Sequence, residues 1–192
     1  MIFKNLWHRK GRTLLTAVGI SIGVAAIVAL GAISQGLRAG LSAMMEGSQA
    51  DLVVMQGDAF SFLLSSVDEG LMEQFATWGE VDAVNGMLFT NALMDDETFV
   101  MIFGHDPEGF AIAHYRVIAG QTLVEARQVR GKPILLGRRL VESLGVQVGD
   151  TMRITGTSFR VVGIYETGDS FEDGATVMPL DEAQALDRKS VV

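Results

Sequence analysis

From Thr13 to Leu37 the sequence carries no charged residue, and within Leu14 to Ile33 fifteen of twenty residues are hydrophobic, the exceptions being Thr16, Gly19, Ser21, Gly23 and Gly31. As a helix, twenty residues span about 30 Å, the thickness of a bilayer's hydrocarbon core. Apolar residues lie all round this helix instead of in one stripe, which argues against a core helix of a soluble protein. The mean hydropathy of the whole chain, +0.31, is raised by this one segment. The rest of the 192 residues is about 45% hydrophobic, ordinary for a globular domain. The chain therefore reads as one membrane span followed by one soluble domain.

The flanks give a direction. Lys4, Arg9, Lys10 and Arg12 precede the span with no acid among them, and all 23 acids come at or after Glu46. By the positive-inside tendency, the leader stays in the cytoplasm and everything past about Leu37 is translocated. Phe3, Leu6 and Trp7 fall at helical spacing, as in a segment lying at the headgroup level. A cleaved signal peptide has the same order of features, but its apolar region is about 7 to 15 residues long, and this one is longer. These readings divide the chain into a cytoplasmic amphipathic leader (1–12), a transmembrane helix (13–37), a stalk (38–48) and an extracytoplasmic domain (49–192).

Within the span, Gly19 and Gly23 form a GxxxG pair, Ala32 and Gly36 a second small pair, and Gly36 and Gly40 a third. Small residues one turn apart let a second helix approach closely, which points to helical partners outside these 192 residues. Glycine and alanine are also simply frequent in membrane helices.

Beyond the span, Leu37, Leu41 and Met44 continue the helix as a stalk to Gly47. Asp51–Met55 reads as a short buried strand. A polar loop follows, carrying Phe60, Phe62, Leu63 and Leu64, a possible partner contact if they are exposed and core if they are covered. Asp68–Trp78 reads as a helix capped by Asp68. Val84–Leu93 and Thr98–Phe103 read as a hairpin turning at Asp95, Asp96 and Glu97, and a loop region then runs from His105 to Gly120. Pro133–Leu136 reads as a buried strand, Arg138–Leu144 as a helix stopped by Gly145, and Thr151–Thr155 with Phe159–Tyr165 as a second hairpin turning at Gly156 and Thr157. Pro179 and Asp181 open a last helix to about Asp187, and Val191 and Val192 look like the start of another strand. The fold class is α+β: one N-terminal transmembrane helix, then a mixed α/β extracytoplasmic domain of short strands and hairpins.

Chemistry is hard to find. There is no phosphate loop, no G-x-G-x-x-G, no G-x-S-x-G elbow and no H-E-x-x-H pair, and no cysteine for a thiol nucleophile or a thiolate-ligated metal. His105, Asp106, Glu108 and His114 match no standard ligand spacing, and the two histidines read as surface residues flanking a Pro-Gly loop. The net charge of −8 argues against nucleic acid as a partner. Nothing suggests a catalytic, metal or cofactor site.

The order of several stretches resembles the FtsX-like/MacB-like permeases of ABC transporters. Asn5-Leu6 and Arg12 to Ile20 are similar to the start of such subunits. Ala50-Asp51-Leu52-Val53-Val54, Phe103 to Pro107, Ala119-Gly120-Gln121, Leu136-Gly137, Leu144 to Asp150, Phe159 to Ile164 and Pro179 to Gln184 are similar to a MacB-type periplasmic core domain. The resemblance implies a non-catalytic permease in the plasma (inner) membrane, which transmits ATP-driven motion to its outer domain for export or for lipoprotein, lipid or peptide handling. It implies a cytoplasmic ABC ATPase that binds the ATP, a second permease copy or paralogue, membrane lipid around the span and no cofactor on this chain. Gly19 and Gly23 would sit in helix packing. The family's three later membrane helices are absent, so the sequence reads as the N-terminal portion of a permease. The competing expectation is a single-span membrane-anchored interaction module regulating envelope proteins, complete at Val192.

Overall fold

The computed structural model describes residues 10–47, 50–58, 65–95 and 98–190. The chain divides into two units, Met1–Ser42 and Ala43–Val192. The leader residues Phe3, Leu6 and Trp7, the loop residues Phe60, Phe62, Leu63 and Leu64, the turn residues Asp96 and Glu97, and Val191 and Val192 all lie outside the described residues.

Helix α1 runs unbroken over Lys10–Gly47, 38 residues. Five glycines in its first 27 residues do not interrupt it, because each costs only about 1 kcal/mol relative to alanine. Gly11–Gly36 is the one helix, among the described residues, that is long and apolar enough to cross a membrane.

The second unit is built on a mixed sheet. Helix α2 (Gly70–Ala76) leads into a hairpin of β1 (Met87–Met94) and β2 (Thr98–His105), paired in full register from Met87↔His105 to Met94↔Thr98. A 3₁₀ turn (Phe110–His114) and β3 (Arg116–Gly120) follow. Next come β4 (Lys132–Gly137), helix α3 (Arg138–Leu144), β5 (Thr151–Ile154), β6 (Thr157–Glu166), a 3₁₀ turn (Glu172–Gly174), β7 (Thr176–Pro179) and helix α4 (Leu180–Ser190). The strand order is β3-β6-β4-β7-β2-β1-β5, with β5 also paired to β6. Since β5 meets β1 at Ile154↔Met94, six strands close into a circuit of pairings. β3 lies outside it, on the second half of β6. The β2–β7 and β4–β6 pairs are parallel.

Alternation along the strands splits the apolar residues between two cores. Val100 and Ile102 of β2 face one core with Ile134, Leu136, Phe159 and Val161, beneath Leu140 of α3 and Ala183 and Leu186 of α4. Phe103 faces the other, with Tyr115, Leu135, Val162, Tyr165 and Val177. Helices cover the first face. Gly104 brings α4 close, since a Cβ there would stand 2.5 Å from the Ala183 Cβ.

Several sequence expectations need correcting. Asp51–Met55 forms no strand, and Leu52 is 88% exposed. Its β-branched run has no pairing partner among the described residues, and strand preference is realised only against a neighbour. The helix expected over Asp68–Trp78 is only Gly70–Ala76, although Asp68 does accept the Gly70 amide at 2.7 Å. The loop expected up to Gly120 holds a 3₁₀ turn and β3, an edge strand whose pattern is mostly exposed. β7 went unread because it is four residues long and runs straight into a helix. In the second hairpin the turn is Thr155–Gly156, one residue earlier than expected. Both residues have positive φ (46° and 74°), as a two-residue type I′ turn requires. The histidines are not surface residues: His105 is 2% exposed and His114 is half-buried.

Candidate functional site

Of the residues singled out in the span, Gly19, Gly23 and Gly36 all lie in α1, with open space where a Cβ would stand. They do not form one surface. At about 100° per residue, Gly19 and Gly23 share a side, whereas Gly36 lies round the helix from them, with Ala25, Ala29 and Ala32. Ser21 and Val28 flank the alanines on that second face. α1 therefore offers two separate small-residue faces. The proposed contact residues Phe60, Phe62 and Leu63 lie outside the described residues. The base of their loop is described: the Gln56 amide donates to Ser65 Oγ at 2.7 Å.

The polar chemistry of the second unit concentrates in the second core. His105 ends β2 and meets Tyr115, which follows the Phe110–His114 turn, with Nε2 and the phenol oxygen 3.1 Å apart. The rings of Tyr115 and Tyr165 pack edge to face at 5.0 Å. The Tyr165 hydroxyl donates to the carbonyl of Glu172 at 2.6 Å and stands 3.1 Å from that of Ala175. His114 Nε2 lies 2.6 Å from Glu172 Oε2, and the carboxylate is 1% exposed. Asp169 Oδ1 accepts the amides of Phe171 (2.8 Å) and Glu172 (3.2 Å), while Asp173 Oδ1 accepts the Thr167 amide (2.7 Å). The connection from β6 to β7 is thus held by side chains, because its irregular backbone has no ladder to satisfy it.

Burial governs the electrostatics. His105 is lowered to about 4, by desolvation first and by nearby His114 second, so it is neutral at pH 7. Its Nδ1 has no partner among the described residues. His114 is raised, chiefly by its hydrogen bond to Glu172, with Asp169 and Asp173 adding to the field against partial burial. Burial raises both phenols, Tyr115 and Tyr165. No group of three or more metal-ligating side chains is gathered among the described residues. Sequence reasoning missed this network because its members are scattered from position 105 to 175. The one available signal was the acidic run around Thr167–Asp173 next to a buried strand.

The family described as the MacB-like periplasmic core domain matches residues 13–191. The chain is 27% identical to the pyoverdine export ATP-binding/permease protein PvdT of Pseudomonas syringae pv. syringae, covering 93% of this chain and 28% of that protein. It is 21% identical to the macrolide export ATP-binding/permease protein MacB of Chlorobium phaeobacteroides, covering 94% of this chain and 31% of that protein. The chain therefore spans less than a third of the length of these relatives. Among solved structures, the periplasmic region of MacB from Actinobacillus actinomycetemcomitans aligns with a TM-score of 0.47 and 12% identity over 66% of this chain and 63% of that one.

Proposed function

The chain belongs to the MacB-like periplasmic core domain family, and on that premise we propose that it is a non-catalytic permease part of an ABC transporter, anchored in the plasma membrane. The leader 1–12 would face the cytoplasm, 13–37 would span, 38–48 would form a stalk and 49–192 would lie outside, where the protein exports cargo or handles lipoprotein, lipid or peptide. The observation that carries this reading is that one family match runs from the apolar helix through the whole folded domain.

The physics of α1 supports the coupling role. Thirty-eight residues make a helix about 57 Å long, roughly twice the hydrocarbon thickness, so a single helix can cross and still extend past the bilayer. Displacement of its cytoplasmic end would then be carried outward along the helix. The energy source is an ATPase, named together with the permease in the relatives, and ATP would bind there. A second permease copy or paralogue would pack against α1, with lipid on its remaining sides. No nucleic acid has a role.

The test is to solubilise the native membrane complex and identify what co-purifies. A P-loop ATPase in near-equal amount, with ATP turnover that stops when its phosphate loop is mutated, is expected. A complex lacking any ATPase, active without nucleotide, would overturn the proposal.

A further inference from the structure

The second core contains an ionisable side-chain pair that joins two of its connections. His114 ends the β2–β3 connection, and Glu172 lies in the β6–β7 connection, 58 residues later. Their side chains meet at 2.6 Å, with the carboxylate sealed and the imidazole partly open to solvent. This pair bridges two irregular segments, the first also held by His105 and Tyr115, the second by Tyr165, Asp169 and Asp173, and it adds a polar tie to the edge-to-face packing of Tyr115 on Tyr165.

We propose that His114 and Glu172 form a proton-gated clasp, closed when the imidazole is protonated, which ties the 110–114 turn to the 167–175 connection and loosens that connection as the surroundings turn alkaline. The titratable groups facing the imidazole are Glu172, Asp169 and Asp173 from the β6–β7 connection and His105 from the end of β2. The neutral Tyr115 ring packs beside it at 5.3 Å. Arg139 of α3 also holds this connection, through Ser170 Oγ at 2.5 Å. Three carboxylates against one buried, uncharged histidine make the site acidic on balance. A proton on His114 is therefore favoured, and its loss leaves Glu172 buried against a neutral ring. The solvent-open side of His114 gives the proton a path that His105 lacks. The proposal concerns the domain's rigidity and does not depend on the transport reading.

The experiment uses the full chain in detergent micelles, with two readouts. In the first, imidazole carbon shifts are followed from pH 5 to 9; the chain has only three histidines, so the signals are assigned by His105→Gln and His114→Gln. The His114 ring is expected to titrate above 6.5 while His105 does not titrate above pH 5. In the second, amide exchange of 167–175, corrected for its intrinsic pH dependence, is compared with that of β1 and β2. Protection of 167–175 is expected to fall as pH rises through the His114 transition, by about tenfold for each unit separating its folded and unfolded pKa, with β1 and β2 unchanged. Glu172→Gln should lower the His114 transition and flatten the exchange profile. A His114 ring titrating at or below 6.5, or pH-independent protection of 167–175 in the native chain, overturns the proposal. Should a variant fail to fold, these two measurements on the native chain decide it.

Discussion

Replacing Gly137 with alanine tests the architecture of the second core. Gly137 ends β4 with φ −66° and ψ 148°, a conformation any residue adopts, so the substitution carries no dihedral penalty. The obstacle is steric. A Cβ there would stand 2.2 Å from the Asp173 carbonyl oxygen, 2.5 Å from its carbon and 2.8 Å from its Cα. Asp173 cannot easily retreat, because its amide is bonded to the Asp169 carbonyl at 2.9 Å and its carboxylate to the Thr167 amide at 2.7 Å. The Gly137 amide itself donates to the Ala175 carbonyl at 2.9 Å, which pins the two segments together. Overpacking costs about 1–3 kcal/mol where side chains can yield, so a clash with anchored backbone should cost about 3 kcal/mol or more. For a chain of this size that lowers Tm by about 6–12 °C. The control is Gly174→Ala in the same connection, where a Cβ meets nothing within 4 Å, and which should stay within about 0.5 kcal/mol of the parent. Thermal unfolding followed by near-ultraviolet circular dichroism reports on the buried Tyr115–Tyr165 pair and not on α1. A Gly137→Ala melt within 2 °C of the parent, or an equal fall for Gly174→Ala, would refute the reasoning.

Tyr165→Phe removes the hydroxyl that serves the carbonyls of Glu172 and Ala175; leaving them buried and unpaired should cost about 1–3 kcal/mol by denaturant unfolding. Stability against pH should pass through a maximum near 6.5. His105, folded at about 4, contributes stability present above 6.5 and lost as pH falls toward 4, about 3 kcal/mol in full. Raised His114 contributes stability present below 6.5 and lost as pH rises through its folded value; His114→Gln should remove only the alkaline limb. In α1, Gly23→Leu and Ala29→Leu obstruct different faces, about 120° apart, so energy transfer between labelled chains in vesicles should fall for the variant that blocks the packing face and persist for the other; a fall in neither would exclude both faces.

Legibility in the sequence followed the range of the interaction. Helix α1 was readable because its signal is local: no charge over a full membrane thickness. The β1–β2 hairpin, α3 with its left-handed Gly145 cap (φ 69°) and the alternation of Met152 and Ile154 were readable for the same reason. Asp51–Met55 misled because its residue types suit a strand, yet a strand exists only with a neighbour. β3 and β7 were invisible because what makes them strands is β6, β2 and β4, dozens of residues away. The histidines misled in the opposite sense. A Pro-Gly neighbourhood suggests surface, but the Phe110–His114 turn folds back over the sheet and buries His105 under Tyr115.

The same distinction explains why the polar network lies where it does. The first core is roofed by α3 and α4, whose backbone is satisfied within each helix, so the face beneath them can be wholly apolar. The second core is roofed by connections and 3₁₀ turns, which leave amides and carbonyls without ladder partners over an apolar floor. Each such group must find a side chain or remain buried and unpaired at about 1–3 kcal/mol. Tyr165, Asp169 and Asp173 meet that need, and each bonds backbone. By the same criterion His114 and Glu172 differ from these three, as do His105 and Tyr115: each pair bonds within itself and satisfies no backbone group, and of the two pairs only the first buries a carboxylate. Burying a carboxylate for structure alone is costly, and an apolar pair of similar volume would hold the two connections at least as well. What an apolar pair could not supply is a dependence on protons, and that is why the function of this contact is to be sought in the response of the β6–β7 connection to pH.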